Sequence, residues 1–301
     1  MLKFLFWIVA WGGRPFGGIR PRRIVHWLAR KAYGEAKPDP KDFRSFRDSD
    51  GNQLLLHPHY FIDYQVIAFG VYDARLRRFL KRVVKPGMTC LDVGANIGCV
   101  TTQLSRLVGP SGRVFGFEPV PHLFQRLKEN IALNAFDRVA SLHQMALSRE
   151  TGQATIKAAQ EDCDNQGMAS LRNTDHPHLR RALEIQTITL DQFVREKHLD
   201  RIDLIKMDVQ GAEPWVIEGG ASTLRRLHPH LLLEVSPYDL RSFGKTATDL
   251  LRMLEALGYE SYCLKENGGL GKRVLAATTV GDFAADDIYC RPADTQGYRA
   301  S

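Results

Sequence analysis

Leu91-Asp92-Val93-Gly94-Ala95-Asn96-Ile97-Gly98 joins a short apolar run to a segment of helical periodicity, and the fold follows from how that junction is read. Glycines at 94 and 98 stand at a strand-to-helix turn, where the backbone has to approach a ligand closely. Such a turn in a parallel sheet binds a nucleotide. A dinucleotide site would use G-x-G-x-x-G, with amides and the helix N-terminus aimed at a pyrophosphate. Here the spacing is G-x-x-x-G, and Asp92 stands immediately before it. A carboxylate at that point repels a pyrophosphate but attracts the ammonium group of a methionine moiety, which favours S-adenosyl-L-methionine (SAM) over NAD. Asp92, Gly94, Ala95, Asn96 and Gly98 are therefore expected to border the cofactor.

Working outward, short apolar runs ending in acids or glycines alternate with longer helical stretches, the βαβ signature of a parallel sheet. Strands are expected at Met88 to Val93, Arg113 to Glu118, Val139 to Met145, Ile202 to Asp208 and Leu231 to Val235. Helices are expected at Cys99 to Leu107, Pro121 to Asn134 and Pro214 to Leu227. A helix over Thr248 to Leu257, stopped by Gly258, precedes two stretches, Tyr259 to Leu264 and Asp287 to Arg291, that complete the sheet as an antiparallel hairpin. Between the third and fourth core strands, two alternating runs, Ala154 to Ala158 and Leu183 to Leu190, bracket a polar stretch from Gln160 to Arg181. That insertion reads as a β-hairpin with a lid-like loop. The fold class is thus α/β, a Rossmann-like sheet with an N-terminal helical segment and an inserted hairpin.

Phe117-Glu118-Pro119 places an acid at the end of the second strand, about twenty residues past the glycine turn, where this topology hydrogen-bonds ribose hydroxyls. Both nucleotide types use such an acid, so it discriminates only in combination with the turn.

With these residues in order, the chain resembles the FkbM family of SAM-dependent methyltransferases. The likeness rests on Leu91 to Gly98, Phe117-Glu118-Pro119, Asn130 and Asn134 in the next helix, Ala146-Leu147-Ser148, Thr189-Leu190-Asp191 and Ile205-Lys206-Met207-Asp208-Val209-Gln210-Gly211-Ala212-Glu213, and spans roughly residues 70–292. It implies a SAM site that includes Asn134, Ala146 and Tyr72, the last where family members often carry an aromatic-acid pair closing over the cofactor. It also implies O-methylation of a hydroxyl, commonly on a sugar or secondary metabolite. One departure stands out: the family's Asp-Val-Glu-Gly is Asp208-Val209-Gln210-Gly211 here, so a charge-based role for that glutamate is in doubt.

Methyl transfer from a sulfonium is an in-line displacement, and most of the work is holding the reacting atoms collinear. A sugar hydroxyl is a poor nucleophile, so a base contributing about 10²–10⁴-fold is expected. Asp208 ends the fourth strand at the carboxyl edge where open parallel sheets bind ligands, and Lys206, two residues earlier, shares its face. Glu234 on the neighbouring strand completes a Lys/Asp/Glu cluster. The same residues also fit a structural ion pair, or an Asp208 that only orients the cofactor's amino group. Glu213 suits the N-terminus of the following helix. His57 and His59 stand among aromatics and read either as acceptor-pocket lining or as filling.

The chain has 301 residues, 44 % hydrophobic and 25 % charged, which fits one sizeable α/β domain and excludes a polytopic membrane protein or wholesale disorder. The division expected is an N-terminal segment over 1–69, the methyltransferase domain over 70–292 and a tail over 293–301. The net charge of +7 favours anionic neighbours without choosing among them. One basic cluster is Arg75, Arg77, Arg78, Lys81, Arg82 and Lys85, which reads first as a solvated face. Leu2 to Trp11 is almost wholly apolar, too short to span a bilayer, which takes roughly 20 residues, and is followed by arginines. It reads as an interfacial anchor, with peripheral membrane contact through residues 1–31, or as a helix packed on the body. Five dispersed cysteines read as reduced thiols in a cytoplasmic protein. No zinc spacing occurs, and Asp162, Asp164 and Asp175 read as ordinary loop acids, so no metal is expected.

The acceptor expected is a small molecule or glycan. Ribose methylation of RNA competes with it, but the chain shows no RNA-binding module and nucleic acid is the weaker partner. A non-catalytic binding protein on the same fold is the third reading. The oligomeric state is open.

Overall fold

The structure, a computed structural model, describes residues 42–159, 169–170, 179–278 and 286–293. The apolar segment Leu2–Trp11 with its trailing arginines, the loop acids Asp162, Asp164 and Asp175, Cys163 and the last residues of the tail lie outside them.

In chain order the elements are β1 (Arg44–Arg47), β2 (Gln53–Leu56), α1 (Phe61–Phe69), α2 (Ala74–Val83), β3 (Thr89–Val93), α3 (Cys99–Val108), β4 (Arg113–Phe117), α4 (Pro121–Ala132), β5 (Ala140–His143), β6 (Ala146–Leu147), β7 (Gly152–Ala159), β8 (Ala169–Ser170), β9 (Leu179–Ile188) and α5 (Leu190–Glu196). There follow β10 (Leu204–Met207), α6 (Glu213–Gly219), α7 (Ala221–Leu227), β11 (His230–Val235), α8 (Pro237–Ser242), α9 (Ala247–Ala256), β12 (Tyr259–Leu264), β13 (Leu270–Val274) and β14 (Asp286–Pro292).

The main sheet runs β13-β12-β14-β11-β10-β3-β4-β5, with β11, β10, β3, β4 and β5 parallel and β14 antiparallel beside β11. Its strands are buried on both faces, which is why they read as nearly continuous apolar runs. On one face Leu91, Val93, Phe115, Phe117, Ile205, Met207, Leu231 and Leu233 pack under α5, α6, α7 and α9. On the other, Cys90, Val114, Leu204, Leu232 and Tyr289 pack under Leu76, Phe79 and Leu80 of α2 and Val100, Leu104 and Val108 of α3. The parallel order reverses between β3 and β10, the switch point where such sheets open a crevice.

All five expected core strands are present. The C-terminal pair Tyr259 to Leu264 and Asp287 to Arg291 is antiparallel as read, but β14 inserts between β11 and β12, and the chain first makes β13, a strand too polar to announce itself. The helix expected over Pro214 to Leu227 is two, broken at Gly220. A Cβ on Gly219 would lie 2.1 Å from the Ser148 carbonyl oxygen and one on Gly220 2.6 Å from Leu190, so the bend presses backbone against the insertion and α5. The inserted hairpin is β7 against β9, and it builds a separate sheet, β6-β9-β7-β8.

The described part of the N-terminal segment, expected as helical, is a β-hairpin followed by α1. Phe46, Leu54 and Leu56 of that hairpin share a core with Ile97 of the glycine turn and with Val120 and Leu123. Asn130 of α4 and Asn134, just past its end, act as a surrogate strand for β2. Leu55 N–H donates to Asn130 Oδ1 at 2.6 Å and Gln53 N–H to Asn134 Oδ1 at 2.9 Å, while Asn134 Nδ2 returns a bond to the Gln53 carbonyl at 2.7 Å. No helix among the described residues is long and apolar enough to cross a membrane.

Candidate active site

On the face beneath α2 and α3, the side chains that point down from the strands turn from apolar to charged at the carboxyl edge. Cys90 gives way to Asp92, Leu204 to Lys206 and then Asp208, and Leu232 to Glu234. Across the sheet Lys206 is the register partner of Asp92, and Glu234 that of Asp287. Lys206 Nζ lies 3.4 Å from Asp92 Oδ1, 3.5 Å from Asp208 Oδ2 and 3.3 Å from the Gly94 carbonyl oxygen. Burial alone would strip the ammonium of its proton, but the three acids around it outweigh that and hold it charged.

Asp92 is fully buried. Its Oδ2 accepts from Thr101 Oγ1 at 2.6 Å, and its Oδ1 has only Lys206 near it. The carboxylate expected to meet the methionine ammonium thus also has the Lys206 ammonium beside it. Burial raises the Asp92 carboxyl above the ordinary range, with Lys206 and Thr101 opposing.

Asp208 is held differently. Burial would raise its carboxyl, but Lys206, a hydrogen bond from Glu234 and one from Gln210 Nε2 at 3.1 Å prevail and keep it below the usual aspartate value. The carboxyl of Glu234, at the mouth, is pushed well up, first by the neighbouring Asp208 charge and then by burial. Gln210 is thus an amide donor to Asp208, where the family's glutamate would place a second negative charge. Its backbone is left-handed, φ 52°, and Gly211 follows at φ 93° packed against Asp239. Glu213 opens α6 as expected, but its Oε1 accepts from the Val209 N–H at 3.1 Å and the Gly211 N–H at 3.4 Å, pinning the loop that carries Asp208. Burial raises its carboxyl to about 7.

The glycines of the turn serve the protein's own packing. Gly94, at φ 80°, would put a Cβ 1.9 Å from the Asp208 carbonyl oxygen, and Gly98, at φ 91°, would put one 2.6 Å from Leu127. Ala95 is buried against Leu127 and Ile131. Asn96, left-handed at φ 51°, gives its N–H to Glu118 Oε2 at 2.9 Å, and Val120 gives its own to Oε1 at 2.9 Å. Each Glu118 oxygen thus accepts one backbone N–H. Burial raises this carboxyl to about 7. SAM affinity is accordingly expected to fall as pH drops through about 7, where Glu118 loses the charge that accepts hydroxyl protons, and Glu118→Gln is expected to bind weakly with a flat profile. Calorimetric titration between pH 6 and 8.5 checks both.

The cleft at this edge, open to solvent, is lined by Tyr72, Asp73, Arg75, Lys206, Asp208, Glu234 and Asp287, with Leu76, Met207 and Leu232 beneath. Tyr72, Lys206, Asp208 and Glu234 are therefore brought together as expected. Burial, followed by the charges of Asp208 and Glu234, keeps the Tyr72 phenol protonated. Asn134 and Ala146 do not line the cleft: Asn134 is bonded to β2, and Ala146 begins β6. His57 is fully buried, stacked on Tyr60 at 4.3 Å beside the Asp63–Arg126 ion pair, and fills the N-terminal core.

Asp73, the acid of the aromatic-acid pair with Tyr72, lines the cleft; sequence reading missed Arg75 and Asp287 as cleft residues. Asp73 caps α2, accepting from the Arg75 and Leu76 N–H groups, and Arg75 pairs with Asp287 at 2.9 Å. The signal for Asp287 was an acid near the start of β14, ahead of the apolar run Ile288-Tyr289-Cys290.

The donor set fits SAM. Four carboxyls face two cations in the cleft, each cation already ion-paired, so the surplus is negative and suits an ammonium and a sulfonium while opposing a pyrophosphate. Among the described residues no group of three or more His, Cys, Asp or Glu is arranged to hold a metal.

The sequence model of the family described as "Methyltransferase FkbM domain" matches residues 92–261. The chain is similar to the 2-O-methyltransferase NoeI of Sinorhizobium fredii, 32% identical over 161 residues that cover 50% of this chain and 64% of that protein. It is also similar to the hexuronic acid methyltransferase AglP of Haloferax volcanii, 27% identical over 169 residues covering 54% and 64%. It thus spans slightly under two thirds of either relative's length. Among solved structures, the methyltransferase FkbM of Methylobacillus flagellatus aligns at TM-score 0.42 and 17% identity, covering 77% of this chain and 56% of that one.

Proposed function

Because the chain belongs to the FkbM family of SAM-dependent methyltransferases, we propose that it methylates a hydroxyl oxygen of a sugar, glycolipid or related metabolite, with Asp208 receiving the hydroxyl proton. The enzyme class is methyltransferase and the cofactor is SAM. When bound, SAM supplies a methyl group on a cationic sulfur that leaves as a neutral thioether.

The observation that carries the reading is the state of Asp208. It is half-buried at the cleft, with its carboxyl held below the usual aspartate range by Lys206 and by hydrogen bonds from Glu234 and Gln210. An anion held this way accepts the hydroxyl proton as the new oxygen–carbon bond forms, so a free alkoxide never has to develop. Lys206 keeps the carboxylate charged and, through Asp92, ties it to the glycine turn. Tyr72, its phenol protonated, closes the cleft on the α2 side and offers an O–H to the acceptor or the cofactor. The name of one relative, a hexuronic acid methyltransferase, supports a sugar acceptor, and that of the other, a 2-O-methyltransferase, supports transfer to oxygen.

The test is methyl transfer from labelled SAM to a panel of neutral glycosides, glycolipids and RNA, with SAM binding measured alongside. Asp208→Asn is expected to lower kcat by about 10²–10⁴-fold while SAM affinity stays within a few-fold. A variant that loses SAM binding and turnover together would instead make Asp208 a cofactor ligand. Salt-steep methylation of RNA with no glycoside turnover would move the acceptor to nucleic acid. SAM binding with no transfer to any acceptor would favour a binding protein.

A further inference from the structure

We infer that Asp50 is a positioning residue for Tyr72: through Arg77 and Lys81 it clamps the segment that carries Tyr72 and Asp73 into the cleft, so that the N-terminal hairpin sets how firmly this wall holds SAM. The inference rests on the reading of the cleft as the cofactor site. It goes beyond that reading by placing part of the site's control outside the main sheet, in the turn between β1 and β2.

The turn, residues 48–52, is built to hold its shape. Asp48 Oδ1 accepts from the Asp50 N–H at 2.8 Å and the Asn52 N–H at 2.9 Å, and Asp48 Oδ2 accepts from Asn52 Nδ2 at 2.8 Å. An aspartate that bonds backbone donors just ahead of it fixes a tight turn. Asn52 is fully buried, and its Oδ1 accepts from Arg106 of α3. Asp50 stands in this turn with its side chain only 7% exposed. Its Oδ2 accepts from Arg77 Nε at 2.6 Å and its Oδ1 from Arg77 Nη2 at 2.5 Å, a two-pronged charged pair. Lys81, one helical turn further along α2, reaches the same Oδ1. Burial would raise the Asp50 carboxyl, but the bonds from Arg77 and Lys81 prevail and hold it below the usual aspartate value.

The segment from Gly70 to Arg77 is thereby tied to one turn at both ends. At its start the Ser49 N–H donates to the Gly70 carbonyl oxygen at 2.7 Å, and Gly70, at φ 75°, would put a Cβ 2.5 Å from Ser49 Oγ. At its end Asp50 grips Arg77, whose carbonyl oxygen also accepts from Gln103 Nε2 of α3 at 3.2 Å. Between the two ties lie Tyr72 and Asp73, which line the cleft. The same two residues and Leu76 also line a second hollow on the turn side, together with Asp48, Asp50 and Arg77. Tyr72 is thus a partition between cleft and hollow. A wall with a hollow behind it is held by where its ends are tied as much as by packing, and Asp50 makes one of those ties.

The experiment grows the full chain with 3-fluorotyrosine and reads fluorine NMR, the Tyr72 resonance being the one lost in Tyr72→Phe. Spectra are taken with and without S-adenosylhomocysteine, whose affinity is measured by calorimetry. In the unaltered chain the Tyr72 resonance is expected to shift when S-adenosylhomocysteine binds. In Asp50→Asn, held well below its unfolding temperature, that resonance is expected to move toward the solvent-exposed value and the affinity to fall about tenfold, the loss that follows when the wall is in place a tenth of the time. Asp50→Glu keeps the carboxylate and is expected to restore most of both. Arg77→Lys keeps the charge, gives up the second prong and is expected to fall between, which keeps the test decisive if Asp50→Asn does not fold. A Tyr72 resonance or an affinity left unmoved by these substitutions, while Tm falls, overturns the inference and makes the pair a stabilising contact alone; the cleft reading then stands. If S-adenosylhomocysteine binds the unaltered chain without moving the Tyr72 resonance, the cleft reading is overturned and the inference with it.

Discussion

Gly94→Ala is expected to destabilise the protein by roughly 3 kcal/mol or more, about 6–12 °C in Tm for a chain of this size, and to weaken SAM binding beyond what the lost stability explains. Two terms add. A non-glycine residue at φ 80° pays about 1–3 kcal/mol of backbone strain. The new Cβ would also fall 1.9 Å from the Asp208 carbonyl oxygen, and that atom is backbone that cannot rotate aside. It is held by the Asp208 N–H bond to Val93 at 3.0 Å and by the Glu213 bond to the Val209 N–H. The loop must shift, and Asp208 shifts with it. Gly258→Ala separates the terms, because Gly258 has φ 82° with nothing within 4 Å of its Cβ position. That control should show the strain alone, about 1–2 kcal/mol, with SAM affinity unchanged. Thermal unfolding and calorimetry on both variants decide; equal losses in the two would remove the steric argument.

The second large effect is expected from Lys206→Met, which keeps the volume and deletes the charge. Breaking a buried pair by removing one partner typically costs about 3–5 kcal/mol, because the other charge is left uncompensated. Here Asp92 is fully buried and Lys206 is its neighbour across the strands. The loss should depend on pH, and the sign follows from both partners. In the unaltered chain the Lys206 pKa is raised, so its contribution is complete below the ordinary lysine value, about 10.4, and fades only as pH rises above it. Between pH 5 and 8 that contribution is flat. In the variant, burial already pushes Asp92 up and the chief opposing charge is gone. A raised carboxyl makes the folded state bind the extra proton, so the variant regains stability as pH falls. The Tm deficit should be largest near pH 8 and smaller near pH 5. Adding Asp92→Asn should recover much of it at pH 8. A deficit independent of pH would mean that packing of the lysine stem, and not the charge, is what the protein loses.

The same pair shows how far a sequence carries. Lys206 and Asp208 are two apart on a strand, so their common face was legible from period alone. That Asp92 would be sealed behind Lys206, with Thr101 on its other oxygen, was not. The carboxylate was expected to meet a cofactor ammonium, and the register of β3 with β10 gives it a protein ammonium as well. Asn130 and Asn134 were visible as a recurring pair, yet only the packing of β2 across α4 shows their amides completing a strand edge.

The linear chain determined the parallel core, because strands buried on both faces must be apolar runs and the turns between them need glycine or proline. It determined the switch-point turn and its acids for the same reason: positive φ and a charge at a strand end are local demands. It could not determine the N-terminal hairpin or β13, whose short polar strands are stabilised by what they pack on and not by their own pattern. Nor could it determine the charge of the cleft, since Arg75 and Asp287 are 212 positions apart and meet only when β14 inserts beside β11. Backbone conformation and burial are written locally, while the balance of charges in a site is a sum over elements that only the tertiary structure brings to one edge.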